Sequence, residues 1–223
     1  MTKIRNVLFD LDGTLTDPAQ GIVRCIQHSL NTLEIACPSH DELTRYIGPP
    51  LREVFVSICS SSDEVLIERA VTVFRERFST IGLFENTPYE EVSEMLSSLD
   101  GDYQLFVATS KPQLYAEKIL HHFSLAHHFV EIHGNDLAGR LDDKAELVKE
   151  LIVRRELRPE QTVMVGDRMH DVIAARKNGV ASVAVTYGYG SESELVEAGA
   201  NYFCDSPTAV VEVISTLTSG SDQ

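Results

Sequence analysis

The sequence predicts an α/β protein: a doubly wound, Rossmann-like parallel sheet with a small helical domain inserted after the first strand. Two observations carry that prediction. Short β-branched and aromatic runs alternate with longer amphipathic segments over most of the chain, the pattern of strands joined by crossover helices. Residues 16–85 interrupt the rhythm with helical periodicity alone.

Taken in order, the expected strands are Ile4 to Phe9, Tyr103 to Ala108, Phe129 to His133, Thr162 to Val165, Ser182 to Thr186 and a short one at Asn201 to Cys204. Amphipathic segments separate them: Glu90 to Leu99, Pro112 to Phe123, Lys144 to Arg155, His170 to Asn178 and Ser193 to Ala198. Crossovers of this kind are right-handed. Inside the insert, helical patterns fall at Ile22 to Leu33, Leu51 to Ile58 and Glu64 to Phe78, with a turn-rich Ile47-Gly48-Pro49-Pro50 among them. The expected division is therefore a core of residues 1–15 and 86–223 and a helical domain of 16–85. The polar tail from Thr218 to Gln223 is expected to fray.

A chain of 223 residues that is 43% hydrophobic and 24% charged can bury a sizeable core without disulfides or a structural metal. The formal charge of −15 and the absence of a Lys/Arg run argue against nucleic acid and anionic membranes, whose phosphates demand a basic surface. A small phosphorylated metabolite needs only a few local cations. Cys25, Cys37, Cys59 and Cys204 form no C-x-x-C pair, so they are expected as free thiols, small buried apolar side chains in a reducing compartment. No signal-like or membrane-spanning apolar stretch is present, and a cytoplasmic location is expected.

In doubly wound sheets the ligand crevice lies beyond the carboxyl ends of the strands. The residues just past each apolar run are Asp10, Leu11, Asp12, Gly13 and Thr14; then Thr109, Ser110 and Lys111; then Gly166, Asp167 and, four residues on, Asp171. Lys144 opens the helix before the last of these strands. If these ends share one edge, several carboxylates converge with one or two ammonium groups and a hydroxyl. Crowded buried carboxylates need a counter-charge, and an oxygen-only donor set suits Mg²⁺ holding a substrate phosphate. Each residue alone has an ordinary explanation: Asp167 or Thr109 as a helix cap, Asp10 and Asp12 as a solvated strand exit, Lys144 as a surface residue. Those explanations do not account for all of them at successive strand ends.

The segment Asp10-Leu11-Asp12-Gly13-Thr14, followed by Thr109, Lys144 and Gly166-Asp167-Arg168-Met169-His170-Asp171, resembles the four ordered motifs of the haloacid dehalogenase superfamily. The helical insert, Gly48-Pro49-Pro50-Leu51, Thr109-Ser110-Lys111-Pro112 and Tyr187-Gly188-Tyr189-Gly190 resemble its phosphoglycolate phosphatase and 5′-nucleotidase-like branch. That resemblance implies a nucleophilic Asp10, with Asp12 as general acid and base. It implies Mg²⁺ held by Asp10, the Asp12 carbonyl and Asp167, with Asp171 in support. Thr109 and Lys144 would bind the phosphoryl group, together with the backbone N–H groups of Leu11 and Ser110. Asp12 favours phosphoryl transfer, since dehalogenases lack an acid there. The insert contains no lysine, so the phosphonate-cleaving branch, which needs one, is excluded.

Arg45 and Arg52 flank the Gly48-Pro49-Pro50 turn. They are the candidate substrate-binding cations, with a solvated helix end as the alternative. The expected motion is closure of the helical domain about hinges near Thr14 to Asp17 and Leu83 to Thr87. His121, His122, His127 and His128 fit no zinc spacing, and His170 is left without an assigned role. A sugar-phosphate mutase of the same fold is the alternative activity. A phospho-acceptor receiver module is the alternative of another class, disfavoured by the insert and by Asp12.

Overall fold

The computed structural model describes residues 3–136, 141 and 143–219. The chain opens with β1 (Asn6–Phe9), every residue of which is buried. A short β2 (Thr16–Asp17) leads into helices α1 (Ala19–Thr32), α2 (His40–Thr44), α3 (Leu51–Cys59) and α4 (Glu64–Phe78). The chain returns through β3 (Thr87–Pro88), which pairs with β2. After α5 (Val92–Leu99) come β4 (Gln104–Pro112), α6 (Gln113–His122), β5 (Glu131–Asn135) and α7 (Lys144–Arg154). Then follow β6 (Thr162–Gly166), α8 (Met169–Lys177), β7 (Ala181–Val185), α9 (Glu192–Ala198), β8 (Tyr202–Cys204) and α10 (Pro207–Ser219).

Two compact units result, residues 1–16 with 88–223, and residues 17–87. In the first, a six-stranded parallel sheet runs in the order β5-β4-β1-β6-β7-β8. This is a doubly wound sheet, in which strand order reverses at β1 and opens a crevice at its carboxyl end. Strands covered on both faces read as unbroken apolar runs rather than alternating ones, as Val7-Leu8-Phe9 and Val163-Met164-Val165 do. One face packs Leu8, Phe106, Ala108 and Met164 against Ala145, Val148 and Leu151 of α7 and Ala174 and Ala175 of α8.

The second unit is helical. Helices α1 and α4 bury Val23, Ile26 and Leu30, and Ile67, Val71, Phe74 and Phe78. Ser29 Oγ donates to the Ala70 carbonyl at 2.8 Å inside this unit. Glu85 accepts from Arg24 and Arg77, each at 2.7 Å.

The sheet and its crossovers follow the sequence expectation. Three expectations are corrected. Only Cys25 and Cys204 are buried, while Cys37 is exposed and Cys59 half-buried, all as free thiols. Two helices escaped the sequence reading, α2 and α10. Thr218 and Ser219 complete α10 instead of fraying, and the Thr218 hydroxyl lies 3.0 Å from that of Tyr103; residues 220–223 lie outside the described residues. Among the described residues no helix is long and apolar enough to cross a membrane.

Candidate active site

Asp10 leaves β1 at the point of strand-order reversal, its N–H still donating to Val165 of β6 at 2.9 Å. Its carboxylate is held on both sides. Oδ1 accepts from the Leu11 N–H at 2.7 Å, and Oδ2 lies 2.6 Å from Lys144 Nζ. Leu11, expected to offer its N–H to a phosphoryl oxygen, thus already donates to the neighbouring carboxylate.

Lys144 is the first residue of α7, whose N-cap Asp143 accepts from the Ala145 N–H at 2.8 Å. That cap starts the helix so that Lys144 points inward, 5% exposed, with Nζ 2.5 Å from Asp171 Oδ1 as well. Burial works against its charge, but Asp10 and Asp171 outweigh it and hold the ammonium protonated.

Asp167 follows Gly166 at the end of β6 and is fully buried. Oδ1 accepts from Thr14 Oγ1 at 3.3 Å, and Oδ2 from the Tyr189 N–H at 2.9 Å. Burial, with Asp171 and Asp10 close by, pushes its carboxyl up to about 7. Asp171 stands in the first turn of α8, where Oδ2 accepts from the Arg168 N–H at 3.0 Å. Its pKa is raised too, by burial first, then by Asp10, against the opposing pull of Lys144.

Oxygens of Asp10, Asp167 and Asp171 all lie within 4.8 Å of one another. Three carboxylates with one ammonium leave an excess negative charge in a buried site. An all-oxygen donor set of that size and charge fits a hard divalent cation such as Mg²⁺.

The cradle is closed by glycines. A β-carbon on Gly13 would lie 2.2 Å from Asp167 Oδ2, one on Gly166 2.2 Å from Asp171 Cγ, and one on Gly190 1.9 Å from the Asp167 carbonyl oxygen. The Tyr187-Gly188-Tyr189-Gly190 loop therefore lies directly on Asp167, and Tyr187 donates its hydroxyl to the Thr14 carbonyl at 3.0 Å.

Asp12, two residues past Asp10, has Oδ2 2.7 Å from Lys111 Nζ, while its buried Oδ1 has no hydrogen-bond partner among the described residues. Burial raises its pKa, partly offset by Lys111. Thr109 is buried at the end of the regular part of β4. Its Oγ1 accepts from the Lys111 N–H at 3.2 Å, which leaves the hydroxyl proton to donate elsewhere. Ser110 is exposed.

Asp10, Asp12, Thr109, Lys144, Asp167 and Asp171 thus lie in one unit. Arg45 and Arg52 lie in the other: Arg45 is exposed at the end of α2, and Arg52 pairs with Glu64 and Glu68 of α4. His170 is exposed at the start of α8, its pKa lowered by partial burial and by Arg168 and Lys144. The contact of Lys111 with Asp12 was not assigned from sequence, although Lys111 stands beside Thr109 in the second motif. The bearing of the Tyr187–Gly190 loop on Asp167 was equally missed; its signal was the glycine repeat.

The family model described as haloacid dehalogenase-like hydrolase matches residues 7–185, and the chain belongs to that family. It is 42% identical over 212 residues to a 5′-nucleotidase of Pseudomonas aeruginosa, covering 95% of this chain and 96% of that one. It is 36% identical over 185 residues to the tyrosine-protein kinase PtkA of Mycobacterium tuberculosis, covering 82% of this chain and 62% of that protein. A crystal structure described as a predicted phosphatase from Clostridium acetobutylicum superposes with a TM-score of 0.90 at 40% identity, covering 96% of this chain and 99% of that one.

Proposed function

We propose that this hydrolase is a Mg²⁺-dependent phosphatase that removes phosphate from a small monoester, of the phosphoglycolate or nucleoside monophosphate class, through an aspartyl phosphate on Asp10. One observation carries the reading: Asp10, Asp167 and Asp171 converge around Lys144 at the strand-order reversal, with Asp12 two residues beyond the first of them.

Asp10 is the nucleophile. Its Oδ2 pairs with Lys144 and its Oδ1 with the Leu11 N–H, so attack on phosphorus exchanges one of these contacts for a new O–P bond. Lys144, held charged by Asp10 and Asp171, then balances the charge that builds on the phosphoryl oxygens. The Thr109 hydroxyl, already accepting from Lys111, donates to one of those oxygens, and the Ser110 N–H to another. Asp12 hands a proton from Oδ1 to the departing oxygen and later takes one from the water that opens the aspartyl phosphate. Asp10, the Asp12 carbonyl, Asp167 and Asp171 would hold Mg²⁺, which lets two anions meet by neutralising charge between them. Arg45 and Arg52 are assigned to recognising the leaving group; for Arg52 this means giving up its pairing with Glu64 and Glu68.

A panel of phosphate monoesters assayed for inorganic phosphate, with Mg²⁺ and with chelator, tests this reading. Turnover that requires Mg²⁺ and releases one phosphate per ester supports it. Ester loss without free phosphate would instead mean transfer to a second hydroxyl, as in a mutase or a kinase. No turnover of any ester removes the proposal.

A further inference from the structure

We infer that Lys111 is a positioning residue for Asp12, aimed by a bulge in β4 so that one carboxyl oxygen is fixed and the other is presented to the leaving group. The inference rests on the phosphatase reading above and deepens it.

Parallel pairing of β4 with β5 runs regularly to Thr109, opposite Gly134, and resumes at Pro112, opposite Asn135. Ser110 and Lys111 are therefore surplus residues in the ladder, a bulge that redirects the side chains it contains. The bulged backbone lies against β5 at Gly134, where a β-carbon would sit 2.6 Å from the Lys111 carbonyl oxygen and 2.8 Å from the Gln113 nitrogen. Glycine is what permits that approach. The Lys111 N–H donates to Thr109 Oγ1 at 3.2 Å, which ties the bulge to the hydroxyl assigned above to a phosphoryl oxygen.

The result is a Lys111 side chain that is 6% exposed, with Nζ 2.7 Å from Asp12 Oδ2. The other oxygen of Asp12 is buried and has no hydrogen-bond partner among the described residues. With Oδ2 engaged by the ammonium, a proton on Asp12 has one place to sit, Oδ1. When the bond from phosphorus to the leaving oxygen breaks and the bond from Asp10 forms, that proton passes from Oδ1 to the leaving oxygen, and Asp12 is left as a carboxylate paired with Lys111. Lys111 touches neither substrate nor metal in this account. It acts only through the direction in which Asp12 points.

The signature is leaving-group dependence. General-acid help is worth roughly 10²–10⁴-fold where the leaving group is basic, and little where it departs as a stable anion. The experiment measures kcat/KM, which reports only the steps through departure of the leaving group, for phenyl phosphate and 4-nitrophenyl phosphate with Mg²⁺, in the wild type and in Lys111→Met. The expected result is a loss of roughly tenfold or more on phenyl phosphate and less than roughly threefold on 4-nitrophenyl phosphate. Lys111→Gln, a milder change that keeps an N–H near Asp12, is expected to shift the same ratio in the same direction and serves if Lys111→Met fails to fold by circular dichroism. Equal losses on both esters, or none on either, would overturn the inference. A wild-type protein that cleaves neither ester removes the phosphatase reading, and this inference with it.

Discussion

Replacing Asp167 with Asn should make the metal-free protein more stable at pH 8 while abolishing its response to Mg²⁺. The carboxyl is fully buried, and its pKa is pushed from the ordinary 3.8 to about 7 by burial and by its neighbours Asp171 and Asp10. Between those values the folded protein holds a proton that the unfolded chain has released, so stability declines as pH rises from about 4 to about 7 and levels off above. At pH 8 the ionised Asp167 costs the fold roughly 4 kcal/mol. Asn removes that charge. It still accepts from the Tyr189 N–H, and the Thr14 hydroxyl can turn to accept from the new NH₂ group, so the hydrogen-bond loss is about 1 kcal/mol. The net gain at pH 8 is roughly 3 kcal/mol, or a rise in Tm of about 6–12 °C for a chain this size. At pH 4.5 Asp167 is protonated in the folded wild type and its cost shrinks to about 1 kcal/mol, so the two proteins should be about equally stable there. Thermal melts in chelator at both pH values, repeated with saturating Mg²⁺, read all of this. The wild type should gain about 3 kcal/mol at a hundredfold excess of Mg²⁺ over Kd, and the variant should gain almost nothing. An Asn variant destabilised equally at both pH values would mean that position 167 carries no costly buried charge, and one stabilised by Mg²⁺ as far as the wild type would mean that the ion binds elsewhere.

Two further outcomes follow from the same geometry. If Mg²⁺ binds as proposed it must displace the proton of Asp167, and at lower pH that of Asp171, so its affinity should weaken at least about tenfold for each pH unit below about 7 and stay level above; isothermal titration giving a flat affinity from pH 5 to 8 would contradict this. Gly190→Ala should cost about 1–3 kcal/mol or more in urea melts, because its β-carbon would stand 1.9 Å from the Asp167 carbonyl; a change below about 0.5 kcal/mol would show that the loop yields freely.

Most of the sheet was legible because its strands are buried on both faces and read as unbroken apolar runs between amphipathic segments. The carboxyl-end rule then turned residue order into geometry, and Asp10, Asp12, Thr109, Lys144, Asp167 and Asp171 came into one unit. Helix α10 was passed over because Val210, Val211, Val213 and Ile214 are β-branched and weak helix formers, although Pro207 at its first position is a start signal. Helix α2 is five residues long, too short for periodicity. Its mark was the Ser39–Glu42 capping box. The Lys111–Asp12 pair was hidden for another reason: which way a side chain points from a bulge depends on the neighbouring strand, and here on Gly134, far away in sequence. Arg52 shows the same limit, since its pairing with Glu64 and Glu68 is a property of how α3 and α4 pack.

The proposed chemistry passes through a covalent bond from phosphorus to Asp10. Asp12→Asn, incubated with 4-nitrophenyl phosphate and Mg²⁺ and then quenched with borohydride, converts an aspartyl phosphate into homoserine at the modified position. Peptide mass mapping should find homoserine at position 10, dependent on both ester and Mg²⁺. Cleavage of the ester with position 10 unmodified, or the modification at Asp167 or Asp171 instead, would rule out Asp10 as the nucleophile.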